Sequence, residues 1–135
     1  MVVSWLAYVV VGIVFVVLIV HQGKTNPAPR YRNGYEYEKY VAWRLRNAGF
    51  RDVRVTKGSG DFGADILCRD GSGRIVAVQC KMYNGTVGVK AVQEAVAGMK
   101  YYHGERAMVV TTGIFTAQAR QAAMRMGVEL MERIV

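Results

Sequence analysis

The sequence is poor in the residue types that would mark it as a stapled or metal-knuckled scaffold. Of its 135 residues, two are cysteine, two proline and two histidine. Cys68 and Cys80 stand outside any CxxC spacing, which excludes a disulfide framework; both read as small buried hydrophobes. His21 and His103 are too scattered for a histidine-based zinc centre. Pro27 and Pro29 share one short segment, so proline interrupts no element elsewhere. Charge is missing from the first twenty residues, where only Ser4 and Gly12 are not hydrophobic. All 18 Lys+Arg and all 10 Asp+Glu therefore lie in the rest of the chain, which carries the whole net charge of +8. That remainder has the composition of one soluble domain, and a disordered tail or polytopic transporter is excluded.

The uncharged start is long enough to matter. A helix rises about 1.5 Å per residue, so some twenty residues reach the ~30 Å of a bilayer core. Residues 1–22 are expected to form a single transmembrane helix. Trp5 and Tyr8 suit its interfacial belt, and Lys24, Arg30 and Arg32 follow its other end. That asymmetry predicts a single-pass protein of the cell membrane with the N-terminus outside and the remainder cytoplasmic. A cleaved signal would need a basic start and a small-x-small exit, and neither is evident. Residues 23–33 read as a short stiff linker, and residues 34–135 as the folded domain.

Periodicity maps this domain coarsely. Residues 34–48 predict a helix closed by Gly49, and the alternation of 50–56 predicts a strand. A glycine-rich loop, 57–63, follows. Strands over 64–68 and 74–82 flank Arg69-Asp70-Gly71-Ser72-Gly73, a strong hairpin signal. Residues 84–88 read as a turn, 89–101 as a helix and 106–111 as a buried strand. Thr116 caps a helix running to Met126, Gly127 ends it, and 128–131 form a last strand. The order αβββαβαβ predicts an α/β fold with helices on a central sheet.

Within this pattern, some polar residues occupy positions that packing would make apolar. In the strand over 74–82, Val76, Val78, Cys80 and Met82 share one face, while Ile75, Ala77, Gln79 and Lys81 share the other. Gln79 and Lys81 thus project together. Asp65 in the preceding strand meets them if the hairpin register sets it opposite Gln79 or Lys81. On the first helix, Glu38 falls within about 20–60° of Val41, Ala42 and Leu45, so it points into the apolar face while Glu36 points to water. A carboxylate on a buried stripe is costly unless it is paired or binds a metal.

Four ordered blocks, GYEYEKYVAWRLRNAGF, GDFGAD, VAVQCKMYNGTVGVKAVQEAVAG and MVVTTGIFTAQA, resemble the Mrr-type restriction endonuclease domain. That family belongs to the PD-(D/E)XK nuclease superfamily, which also includes the archaeal Holliday-junction resolvases. The resemblance spans nearly all of residues 34–130. It implies a restriction-endonuclease-like core and matches Glu38 to the first-helix glutamate, Asp65 to the metal-binding aspartate, and Gln79 with Lys81 to the (D/E/Q)xK pair. Gln79 stands where the superfamily usually has a carboxylate, and a neutral amide gives a divalent cation less.

By this likeness Asp65, the Gln79 side-chain oxygen and the Cys80 backbone carbonyl would hold Mg²⁺ or Mn²⁺, with Glu38 as a further ligand and no small-molecule cofactor. Lys81 would orient water and stabilise developing charge. The expected activity is metal-dependent endonucleolytic cleavage of DNA with low intrinsic specificity, by a homodimer where both strands are cut. The alternatives are a junction-resolvase-like nuclease, a catalytically silent membrane-bound DNA tether, and an RNA substrate. Arg44, Arg54, Lys57, Lys90, Lys100 and Arg120 are candidate phosphate contacts; Lys24, Arg30 and Arg32 suit anionic lipid. Several polar residues have plainer readings. Asp61 reads as a loop residue or a contact to metal-bound water, and Gly58, Gly60 and Gly63 as turn residues or a close approach to a DNA backbone. Thr111, Thr112 and Thr116 read as strand end and cap at the edge of the site, His103 as structural, and Gln93 and Glu94 as a solvated helix face or, by the resemblance, a polar family position.

Overall fold

A computed structural model of the chain describes residues 30–56 and 62–134. The apolar segment 1–22, most of the linker, and Lys57, Gly58, Gly60 and Asp61 lie outside the described residues. Among the described residues, no helix is long and apolar enough to cross a membrane.

Helix α1 (Gly34–Asn47) starts at Asn33, whose side chain accepts a hydrogen bond from the Glu36 amide. It ends beside Gly49, whose φ of 95° suits glycine. Strands β1 (Arg51–Val55), β2 (Ile66–Arg69) and β3 (Ile75–Lys81) follow in antiparallel order. The alternation of β1 is broken by a bulge between Arg51 and Arg54, where Asp52 takes φ 51°. Helix α2 (Val89–Tyr101) crosses over to β5 (Arg106–Thr111), parallel to β3; α3 (Ala117–Met126) crosses to β7 (Val128–Met131), parallel to β5. The central sheet runs β1-β2-β3-β5-β7.

Two elements differ from the pattern-based map. Residues 84–88 are not wholly a turn: β4 (Thr86–Val87) pairs in parallel with β6 (Ile114–Phe115) as a separate two-stranded sheet. Each is two residues long and exists only through its distant partner, so neither has a period to read. The second strand also starts late, at Ile66, leaving Ala64 and Asp65 ahead of it.

The sheet buries both faces. Val76, Val78 and Cys80 of β3 join Ile66, Cys68, Met108 and Val110 under Tyr37, Val41, Ala42 and Leu45 of α1. On the opposite face, Ala107 and Val109 pack against Ala91, Val92 and Ala95 of α2 and Ala119 and Ala123 of α3. Tyr31 packs edge-on against Tyr37 at 5.1 Å, so packing begins ahead of residue 34.

Candidate active site at the open end of the β2–β3 hairpin

The pairing Ile66↔Val78 continues by one residue to set Asp65 across from Gln79. The backbone extends the ladder there, with the Asp65 amide donating to the Val78 carbonyl at 2.9 Å and the Thr56 amide to the Asp65 carbonyl at 2.8 Å. Asp65 Oδ2 accepts the Cys80 amide at 2.7 Å, which holds the carboxylate against the peptide between Gln79 and Cys80. Asp65 and Gln79 are each 7% exposed, so this polar corner is nearly dry.

Lys81 and Gln79 meet a residue that the sequence placed elsewhere. Lys81 Nζ lies 2.5 Å from Glu94 Oε2, and Gln79 Nε2 donates to the same oxygen at 3.4 Å. Of the two readings of Glu94, the solvated face does not hold, although its neighbour Gln93 is exposed. The signal was present. Glu94 lies three residues after buried Ala91 and four before buried Gly98, the same stripe argument that singled out Glu38. The seating of α2 is set by glycine. A Cβ on Gly63, at φ 88°, would meet the Glu94 carbonyl at 2.3 Å, and one on Gly98 would meet the Gly63 backbone at 2.7 Å. Gly63 is thus more than a turn residue: its contact with α2 ties the loop leading to Asp65 to the helix carrying Glu94.

With Nε2 committed to Glu94, Gln79 Oε1 is buried and has no hydrogen-bond partner among the described residues. A buried acceptor without a donor costs about 1–3 kcal/mol, so its retention points to a ligand. An amide oxygen, a carboxylate and adjacent backbone form the hard-donor set that suits Mg²⁺ or Mn²⁺. Among the described residues, no three His, Cys, Asp or Glu side chains form a metal-holding group by themselves, so such a site depends on the amide.

Glu38 comes from α1, where the sequence placed it. Helix α1 covers the sheet face bearing Val76, Val78 and Cys80, whereas Gln79 and Lys81 lie on the α2 face. Glu38 therefore does not share their patch of sheet. It is half-buried, and its charge still reaches the same corner. Burial pushes the Cys80 thiol well above its ordinary range; Asp65 and Glu38 push it further, and Lys81 acts against them.

Of the candidate phosphate contacts, Arg54, Lys90 and Lys100 are exposed. Arg44 is half-buried and donates to Tyr40 Oη at 2.8 Å, which makes it a support for the tyrosine cluster. Arg120 is paired with Glu132. Lys57 lies outside the described residues. Thr111 is fully buried and donates to the Lys81 carbonyl at 2.7 Å, so this strand-end residue also fixes the backbone of the site. Thr116 caps α3 by accepting the Ala119 amide, as read from the sequence. His103 lies in the turn two residues past α2 and is exposed.

A mixed sheet with an antiparallel hairpin, parallel crossovers and a D…QxK corner defines a restriction-endonuclease-like α/β domain. The family model Mrr_cat, restriction endonuclease, matches residues 30–134, and the chain belongs to that family. No curated protein sequence matches it. Among solved structures, the DNA modification-dependent restriction endonuclease AspBHI is 24% identical at a TM-score of 0.59, covering 89% of this chain and 32% of its own. EndoMS in apo form gives 18% identity and a TM-score of 0.55, covering 77% of this chain and 47% of its own. The MspJI restriction endonuclease, in complex with a 27-mer oligonucleotide, gives 22% and 0.54, covering 89% and 28%. The chain spans less than half the length of each of these three, and the likeness is one of fold.

Proposed function

We propose that the protein is a membrane-anchored endonuclease that hydrolyses phosphodiester bonds in DNA with a divalent cation and little sequence preference of its own. The observation that carries this reading is the partnerless, buried Gln79 Oε1 beside Asp65 and the Lys81–Glu94 pair. Asp65, Gln79 Oε1 and the Cys80 carbonyl would hold Mg²⁺ or Mn²⁺, with Glu38 as a further ligand. Such a cation, when bound, supplies Lewis-acid polarisation of the phosphodiester.

The side chains have separable tasks. Lys81, 32% exposed at its side chain, presents an ammonium where a phosphoryl oxygen gains charge. Glu94 holds that ammonium in place. Its bond to Nε2 also sets the orientation of the Gln79 amide, leaving Oε1 toward the carboxylate corner. Exposed Arg54, Lys90 and Lys100 supply cationic surface for a polyanion. DNA as substrate is supported by family membership and by relatives solved on oligonucleotides. Anchoring through residues 1–22, a cytoplasmic domain and a homodimer acting on both strands complete the proposal.

The test is plasmid nicking by the full-length chain in detergent with Mg²⁺ or Mn²⁺, alongside Lys81→Ala. Nicking by the wild type and its loss in the variant are expected. Equal background from both, with DNA still retained, would replace the enzyme by a silent DNA tether. Faster cutting of four-way junctions than of linear duplex would redirect it to a resolvase-like nuclease.

A further inference from the structure

The outer surface of α1 is unusual for a helix that covers a core. Turning about 100° per residue, it places Arg32 (just ahead of the helix), Tyr35, Lys39, Trp43 and Arg46 within an arc of about 80°, opposite buried Tyr37, Val41 and Leu45. Tyr35 is 54% and Trp43 56% exposed, so two large rings face outward on one stripe. The charges between them are cationic. Lys39 Nζ stands 4.5 Å over the Tyr35 ring, and the acid beside the stripe, Glu36, is neutralised by Arg32 at 2.8 Å. Rings with wet edges interleaved with long basic side chains are the composition of a bilayer interface, where the ring takes the acyl boundary and the cation the headgroup phosphate.

Chain connectivity indicates what covers this face. The uncharged segment ends at Val20, and α1 is the first described element after it. The intervening residues 21–33, fully extended, reach about 45 Å at ~3.3–3.6 Å each, so α1 never leaves the neighbourhood of a membrane holding the first segment. Within that volume a weak surface contact is strengthened by effective concentration.

We infer that the outer face of α1 docks on an anionic lipid surface and lays the domain against the bilayer. This rests on the membrane-anchored reading above and adds an orientation to it. Helix α1 covers one sheet face, while Gln79 and Lys81 lie on the other under α2, so docking turns their face away from the lipid.

The experiment uses the two tryptophans of the chain, Trp5 and Trp43. Full-length Trp5→Phe protein is reconstituted into phosphatidylcholine vesicles with or without phosphatidylserine, using brominated acyl chains as quencher. Trp43 emission should shift blue and be quenched about twofold in the anionic vesicles only, and Lys39→Glu/Arg46→Glu should abolish both effects. Trp43→Phe protein reports Trp5 in parallel. Quenching of Trp5 without quenching of Trp43 overturns docking and leaves anchoring standing. Quenching of Trp43 alone keeps docking and removes the anchor. Quenching of neither removes both. A Trp43 response to duplex DNA but not to vesicles would assign the face to nucleic acid and overturn the inference.

Discussion

Two buried acidic centres sit at opposite ends of the β2–β3 hairpin, and they are finished differently. At the closed end Asp70, 5% exposed, accepts the Ser72 and Arg74 amides, Arg74 Nε and Arg106 Nη1, all within 3.0 Å. Arg106 is itself shared with Glu129. At the open end Asp65 is equally buried, but its neighbour Gln79 keeps an oxygen with no donor, and the nearby ammonium belongs to Glu94. The first centre is saturated by the chain's own groups and holds a turn. The second keeps a buried acceptor to which none of the described residues donates. Burial alone does not tell the two corners apart; the unmatched amide oxygen beside Asp65 does.

The sharpest way to break this comparison is to remove each carboxylate. Asp65→Asn, whose amide oxygen can still accept from the Cys80 amide, should cut plasmid nicking by about 10²–10³-fold and shift the melting temperature little. Asp70→Ala should leave nicking in the cold nearly intact and destabilise the domain by about 2–4 kcal/mol, because Arg106 is left half-buried without that partner. Thermal melts and nicking rates on the same samples decide it, and parallel losses in both variants would erase the distinction.

A smaller effect of opposite sign is expected from Gln79→Met. Removing the partnerless oxygen should stabilise the fold by about 1 kcal/mol, a rise of a few degrees, while nicking falls at every Mg²⁺ concentration. A drop in melting temperature would mean that the amide is structural.

The acid limb of stability sharpens the closed end. Burial by itself raises the Asp70 pKa, but hydrogen bonds from Arg106, Arg74 and Ser72 outweigh it and hold the group below its ordinary 3.8. A depressed carboxyl stabilises the fold fully above its unfolded value and loses that contribution as pH falls through the folded value. Acid titrations should therefore show wild type and Asp70→Asn converging below about pH 4, with the wild type more stable above it. The smallest effect concerns the thiols. Burial pushes Cys68 up to about 12 and Cys80 well above its ordinary range, so neither should react with iodoacetamide at neutral pH until the domain unfolds.

Much of this was legible before any coordinates. The helices 89–101 and 117–126, the strands 106–111 and 128–131 and the hairpin at Asp70 follow from periodicity, capping and turn chemistry, which act within a few residues. Asp65, Gln79 and Lys81 stood out because each broke a local apolar pattern. Glu94 broke the same kind of pattern, but nothing local says that Lys81 faces the helix carrying it. The sheet face that α1 covers was equally hidden, because alternation tells which residues share a face but not which helix covers it.

The sequence by itself determined the kinds of element, their order and the polar residues that do not belong in a core, because backbone propensity and side-chain period are written residue by residue. Only the tertiary structure decided the partners: the β4–β6 pairing, the Gly63–Gly98 contact, the Lys81–Glu94 bridge and the partnerless Gln79 oxygen. Each joins segments more than ten residues apart, and what sets them is the packing of a helix onto a sheet, a property that no short stretch of chain possesses.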